Sequence, residues 1–150
     1  GAAGMGLAAQ LAYQKFEQKK AHLNELRRYF LEGVHKLEDV SINGWDDTAD
    51  GEECIDKRAP HIVSVSFIGV RSEVLLNALS DRGIYVSSGS ACSSNHPALS
   101  STLQAIGLDK KLIEGTLRFS FCENTTKEEL DQALKALQEL LPMLRRYTRR

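Results

Sequence analysis

Two short segments, His61–Phe67 and Leu117–Phe121, alternate apolar and polar side chains, and that alternation leaves the chain few ways to fold. In the first, Val63, Val65 and Phe67 share one face and Ser64 and Ser66 the other. In the second, Leu117, Phe119 and Phe121 oppose Arg118 and Ser120. Successive strand side chains point to opposite faces, so each segment reads as a half-buried strand. Its apolar side must then be covered by another layer.

The cover is found in three stretches with helical spacing. From about Leu7 to Leu37 the apolar positions, most clearly Phe16, Leu23, Leu26, Phe30, Val34 and Leu37, predict one long amphipathic helix, or two with a break near Gly33. Ser72 is a credible N-cap for a helix carrying Val74, Leu75, Ala78 and Leu79, which Gly83 ends. Thr126-Lys127-Glu128-Glu129 has the form of a capping box. The helix it opens has a core stripe of Leu130, Ala133, Leu134, Leu137, Leu141 and Leu144, and Pro142 is expected to kink or weaken its last turn. Shorter pieces complete the pattern: strands at Val40–Trp45 and Ile84–Val86, a helix around Ser101–Ile106 stopped by Gly107, and a further helical turn at Asp109–Glu114. Asp46 to Lys57, with Cys54, reads as an acidic surface loop. The order predicts a small α/β (α+β) two-layer sandwich, with helices over one face of a mixed or antiparallel sheet. The other face, carrying Ser64, Ser66, Arg118 and Ser120, is expected to be solvated or to look into a cleft shared with another domain.

A chain of 150 residues is enough for one compact domain. A net charge of −1 provides no field for nucleic acid or anionic lipid, so neither is expected as a partner. No apolar run is long enough to span a bilayer. The small-residue amino terminus has no basic lead-in and is not a signal peptide. It also lacks an initiating methionine, as a processed or excised piece of a longer protein would. Cys54, Cys92 and Cys122 are far apart, which argues against a disulfide framework and against a zinc site and favours a cytoplasmic setting.

One segment carries chemistry. Ser87-Ser88-Gly89-Ser90-Ala91-Cys92-Ser93-Ser94 is too small and polar for a core and follows an apolar run, so it reads as a loop delivering a thiol from a strand end. On residue types alone Cys92 is either a nucleophile or a small residue in a turn. His96 lies four residues on, but Pro97 argues against the helix that would bring the two together, so it reads as an ordinary loop histidine.

Taken with Val65-Ser66-Phe67, Gly83-Ile84-Tyr85-Val86, Ala105-Ile106-Gly107-Leu108, Leu117-Arg118-Phe119-Ser120 and Asn124-Thr125-Thr126, this loop resembles the carboxy-terminal part of cysteine desulfurases. These are pyridoxal-phosphate (PLP) enzymes of the class V aminotransferase superfamily, and the Ser-Gly-Ser-Ala-Cys form is similar to the NifS/IscS-like group. The resemblance covers essentially residues 1–150 as a single carboxy-terminal domain, with long leading helices at 1–37 and the small-domain core at 38–150. It implies the fold of the small domain of fold-type I PLP enzymes. It implies that Cys92 takes the sulfur of L-cysteine as a persulfide for delivery to an acceptor, an iron–sulfur scaffold or a thiolation protein. Ser88, Gly89, Ser90 and Ala91 would support that loop, and Arg118 would bind the substrate α-carboxylate through its guanidinium fork.

The same resemblance assigns PLP and the homodimer contacts largely to an amino-terminal domain not seen in these residues. The family's Schiff-base lysine follows a histidine in a Ser-x-His-Lys motif. Here Gly33 replaces the serine before Val34-His35-Lys36, and Lys36 reads as a solvated helix lysine. The chain alone is therefore expected to bind no PLP and to turn over no cysteine. Cys122, where the family usually has glycine nearby, reads as a packing substitution. Two other readings stay open: a stand-alone sulfur-carrier or interaction module, and a Cys92/His96 thiol hydrolase or transferase.

Overall fold

The computed structural model describes residues 1–46, 48–50, 58–88 and 100–148. In chain order these form α1 (Ala2–Tyr13), α2 (Phe16–Val34), β1 (Val40–Asn43), β2 (Ile62–Phe67), α3 (Ser72–Ser80), β3 (Ser87–Ser88), α4 (Ser101–Ala105), α5 (Lys110–Glu114), β4 (Thr116–Ser120) and α6 (Lys127–Thr148). The strands pair antiparallel in the order β1-β2-β4-β3. The expected sandwich is therefore antiparallel rather than mixed.

The alternating segments behave as their periodicity requires. Val63, Val65, Phe67 and Leu117 are fully buried, and they pack with Leu26, Phe30, Leu31 and Val34 of α2, Leu75 and Leu79 of α3, and Leu137 and Leu141 of α6. Phe30 lies at the centre, its ring centroid 4.8 Å from Phe119 and 5.5 Å from Phe121. Aromatic pairs at such separations add a geometric preference to plain burial. Gly83 and Gly107 both have positive φ, +76° and +81°, and so end α3 and α4 where a side chain would be strained.

The leading segment breaks elsewhere than expected. Lys15, not Gly33, interrupts it, with a left-handed φ of 58°. Gly33 stays helical for a packing reason: a Cβ there would sit 2.2 Å from Leu134 Cδ1, so the missing side chain lets α2 approach α6 closely. The helix α1 before the break buries none of its residues. Arg71, not Ser72, is the N-cap of α3, and Ser72 is buried in its first turn. Ile84–Val86 is extended but unpaired; the ladder forms at Ser87–Ser88 instead.

Pro142 does not end α6, which runs six residues further, to Thr148. Both Pro142 and Gln138, whose carbonyl loses its partner, are exposed, so water can take the place of the lost bond. At the other end of α6 the capping box forms as expected. Thr126 N donates to Glu129 Oε2 at 2.9 Å, and Glu129 N donates back to Thr126 Oγ1 at 3.3 Å. Thr126→Ala should lower stability by about 1 kcal/mol in urea unfolding, with no change in the far-ultraviolet spectrum of the folded state. An unchanged unfolding midpoint would mean that the cap is not made in solution.

Candidate active site

Arg118 owes its position to its neighbours in sequence. Leu117 and Phe119 are locked into the core at 0% and 4% exposure, so strand alternation drives Arg118 to the opposite face, where it is exposed. A slip of one residue would exchange these environments, so the register is strongly specified. In that register Arg118 lies directly across from Ser64 on β2 and from Ser87 on β3. Two hydroxyl-bearing residues therefore flank one guanidinium on a pleated surface, where paired Cβ atoms are about 5 Å apart. Among the described residues no carboxylate neutralises the Arg118 guanidinium.

Of the two expectations for this face, solvated or turned into a cleft shared with another domain, solvation does not hold along its whole length. Ser66 and Thr116, paired across β2 and β4, are buried at 0% and 3% exposure. Burial of their hydroxyls is offset by hydrogen bonds: Ser66 Oγ and Thr116 Oγ1 are 2.7 Å apart, and Thr116 Oγ1 donates to the Leu112 carbonyl at 2.7 Å. Asn43 Nδ2 donates to Ser66 Oγ at 2.9 Å and to Ser64 Oγ at 3.2 Å.

Of the loop residues, Ser88 is within the described structure, while Gly89, Ser90, Ala91, Cys92 and His96 lie outside the described residues, as does Cys54. Ser88 pairs with Leu117 and so shares its side of the sheet, whereas Ser87 shares the side of Arg118. Sequence reasoning missed Ser87 because it placed the strand at Ile84–Val86, where the parity of the following serines cannot be read. Ser64 was legible as polar-faced but not as a neighbour of Arg118.

Arg27 was also missed. It is 3% exposed and donates to the carbonyls of Ile62 and, at 2.6 Å, Trp45, tying α2 to the start of β2 and the end of the β1 segment. The signal was present in the spacing: Arg27 stands four residues after Leu23 and four before Leu31, on the apolar stripe itself.

The remaining candidates serve other ends. Lys36 is exposed in the turn that follows α2, its N–H bonded to the Gly33 carbonyl at 3.2 Å. Because α2 packs on the apolar face, the sheet stands between it and Arg118, and Lys36 does not fit a cofactor lysine for this face. His35 Nε2 lies 2.8 Å from Asp46 Oδ2 and 2.7 Å from Thr48 Oγ1. Both contacts use one ring nitrogen, so this is no relay through the imidazole, which would need the two nitrogens to face different partners. Burial pulls the Asp46 carboxyl upward, but hydrogen bonds from the Thr48 hydroxyl and backbone N–H and the nearby His35 outweigh it and hold the group below its ordinary range. Cys122 is exposed, so it is not packed in the core formed by the described residues. The Thr125 hydroxyl, 3.6 Å from its sulfur, and the Asn124 backbone hold its thiol below the ordinary range. No described helix is long and apolar enough to cross a membrane.

Known proteins resemble this chain both in sequence and in fold. The chain is 39% identical over 142 residues to the cysteine desulfurase IscS of Vibrio cholerae serotype O1, covering 95% of this chain and 32% of that protein. The cysteine desulfurase IscS of Photobacterium profundum is 37% identical over the same length. It thus spans about a third of the length of these relatives. A solved NifS-like protein superposes with a TM-score of 0.69 at 29% identity, over 89% of this chain and 31% of that one. The X-ray structure of a NifS-like protein from Rickettsia africae shares the fold, with a TM-score of 0.75 at 18% identity over 93% of this chain and 34% of that one. The family profile described as aminotransferase class-V matches residues 1–133, and the chain belongs to that family.

Proposed function

We propose that these 150 residues are the carboxy-terminal domain of a PLP-dependent cysteine desulfurase acting in the cytoplasm. Arg118 holds the α-carboxylate of L-cysteine, and Cys92 accepts the substrate sulfur as a persulfide and passes it to an acceptor protein. The observation that carries this reading is the register of β3 on β4. It sets Ser87, the root of the cysteine segment, directly opposite Arg118. Chain length then keeps Cys92, five residues on, within roughly 17 Å of Ser87. A loop of that reach can meet a substrate fixed at Arg118 and then turn to an acceptor.

The chemistry suits the two groups. A planar guanidinium gives two parallel hydrogen bonds to a carboxylate and so orients as well as binds it. A thiolate is the form that attacks sulfur, and a persulfide on cysteine is a reversible modification. The described residues do not fit the cofactor itself, since Lys36 lies across the sheet from Arg118. PLP, its lysine and the dimer contacts are assigned to protein outside this span.

A chimera provides the test. This chain, joined behind the part of a Vibrio relative that it does not cover, should release alanine from L-cysteine. Cys92→Ser should abolish release in a Cys122→Ala background, which removes the thiol that is exposed among the described residues. Arg118→Ala should raise KM for L-cysteine roughly ten- to a hundredfold, the range of one lost charged hydrogen-bonded pair. Full activity after Cys92→Ser would overturn the reading.

A further inference from the structure

The polar network on the sheet has a direction, and that direction ends beside Arg118. Thr116 has one hydroxyl proton, and it goes to the Leu112 carbonyl, which can only accept. Thr116 Oγ1 is therefore the acceptor in its 2.7 Å contact with Ser66, and Ser66 is the donor. With its proton committed there, Ser66 Oγ can only accept from Asn43 at 2.9 Å, which sets the amide with its nitrogen toward the serines. The alternative contact, Ser66 Oγ to Asn43 Oδ1, is longer at 3.3 Å. The same amide nitrogen donates to Ser64 Oγ at 3.2 Å. Ser64 thus receives a hydrogen bond from behind and keeps its own proton for an outward acceptor. It is half-buried and lies directly across β2 and β4 from Arg118.

We infer that Ser64 is a second donor to the substrate carboxylate, set by Asn43, Ser66 and Thr116 so that its hydroxyl donates alongside the Arg118 guanidinium. The inference rests on the reading of Arg118 as the carboxylate site. A carboxylate has about four lone-pair positions, and a guanidinium fork fills two of them. An adjacent hydroxyl with its proton free can fill a third. Orientation in advance matters, because a donor that need not reorganise loses less on binding. Asn43 is then a positioning residue, and burial of the Ser66 and Thr116 hydroxyls keeps water from competing for the relay.

The experiment titrates L-alanine, and L-alaninamide as a probe without the carboxylate, into the 150-residue chain, followed by amide and arginine side-chain NMR shifts. In the wild type, L-alanine should shift Ser64 and Arg118 and L-alaninamide should not. Ser64→Ala should weaken L-alanine binding about tenfold, the size of one hydrogen bond to a charged group. Ser64→Thr, which keeps the hydroxyl, should restore it, and Asn43→Ala should give part of the loss. Unshifted Val63 and Leu117 methyl signals would show that each variant keeps the sheet. If Arg118→Ala abolishes binding while Ser64→Ala stays within twofold of wild type, the role of Ser64 is overturned and that of Arg118 stands. If the wild type does not bind L-alanine, or Arg118→Ala binds it unchanged, both are overturned.

Discussion

Phe30→Ala should remove about 3–5 kcal/mol of stability, enough to bring a domain of ordinary stability close to unfolding. Phe30 has 0% exposure and is the one α2 side chain whose ring touches both Phe119 and Phe121, at 4.8 Å and 5.5 Å. Phe119 in turn meets Phe67 of β2 at 6.4 Å. Truncation therefore leaves a cavity bordered by β-sheet on one side and α2 on the other, and the sheet cannot move inward without straining its ladder pairs. In urea the midpoint should fall by about 2 M at an unchanged slope near 2 kcal/mol/M. A loss below about 1 kcal/mol would mean that α2 does not pack on the sheet as described.

Gly115→Ala should be destabilising by about 2–3 kcal/mol although it adds a single methyl group. A Cβ at this position would stand 2.3 Å from the Phe67 carbonyl oxygen and 2.9 Å from that of Val70. Both are backbone atoms and cannot rotate away. The Phe67 N–H also donates to the Gly115 carbonyl at 2.9 Å, so the two segments can separate only by losing that bond. Gly33→Ala is the informative contrast. The three atoms nearest its new methyl all belong to the Leu134 side chain, which can change rotamer, and alanine gains about 1 kcal/mol of helix propensity over glycine. Thermal unfolding of the two variants in parallel should show the larger loss for Gly115→Ala. The reverse order would contradict the close approach of the 115 and 67 backbones.

Much of this architecture could be read from residues alone, for identifiable reasons. The strands β2 and β4 were legible because their period of two has no helical counterpart, and Val63, Val65, Leu117 and Phe119 are buried as that period requires. The start of α6 was legible because Thr126 and Glu129 satisfy each other's backbone groups within four residues. Lys15 was not legible as a break, since lysine carries no turn signal, while Gly33 carries one and is used for packing against Leu134 instead. Pro142 weakens α6 locally through its missing N–H and its ring, yet the helix runs on past it because its apolar stripe packs on the core on both sides of the proline.

The site divides along the same line. Local pattern was sufficient for Arg118 to be turned away from the core and for the Ser87–Cys92 segment to resemble the cysteine loop of a family. It was not sufficient to show that Ser64 and Ser87 flank Arg118, that Ser66 and Thr116 are buried, or that Arg27 is buried among backbone carbonyls. Those facts depend on which strands are neighbours and in what register. The sequence by itself determined which face each side chain of β2 and β4 takes, because that follows from the two-residue repeat of a strand. Only the tertiary structure decided what stands beside it, because pairing joins residues dozens of positions apart that no local periodicity relates.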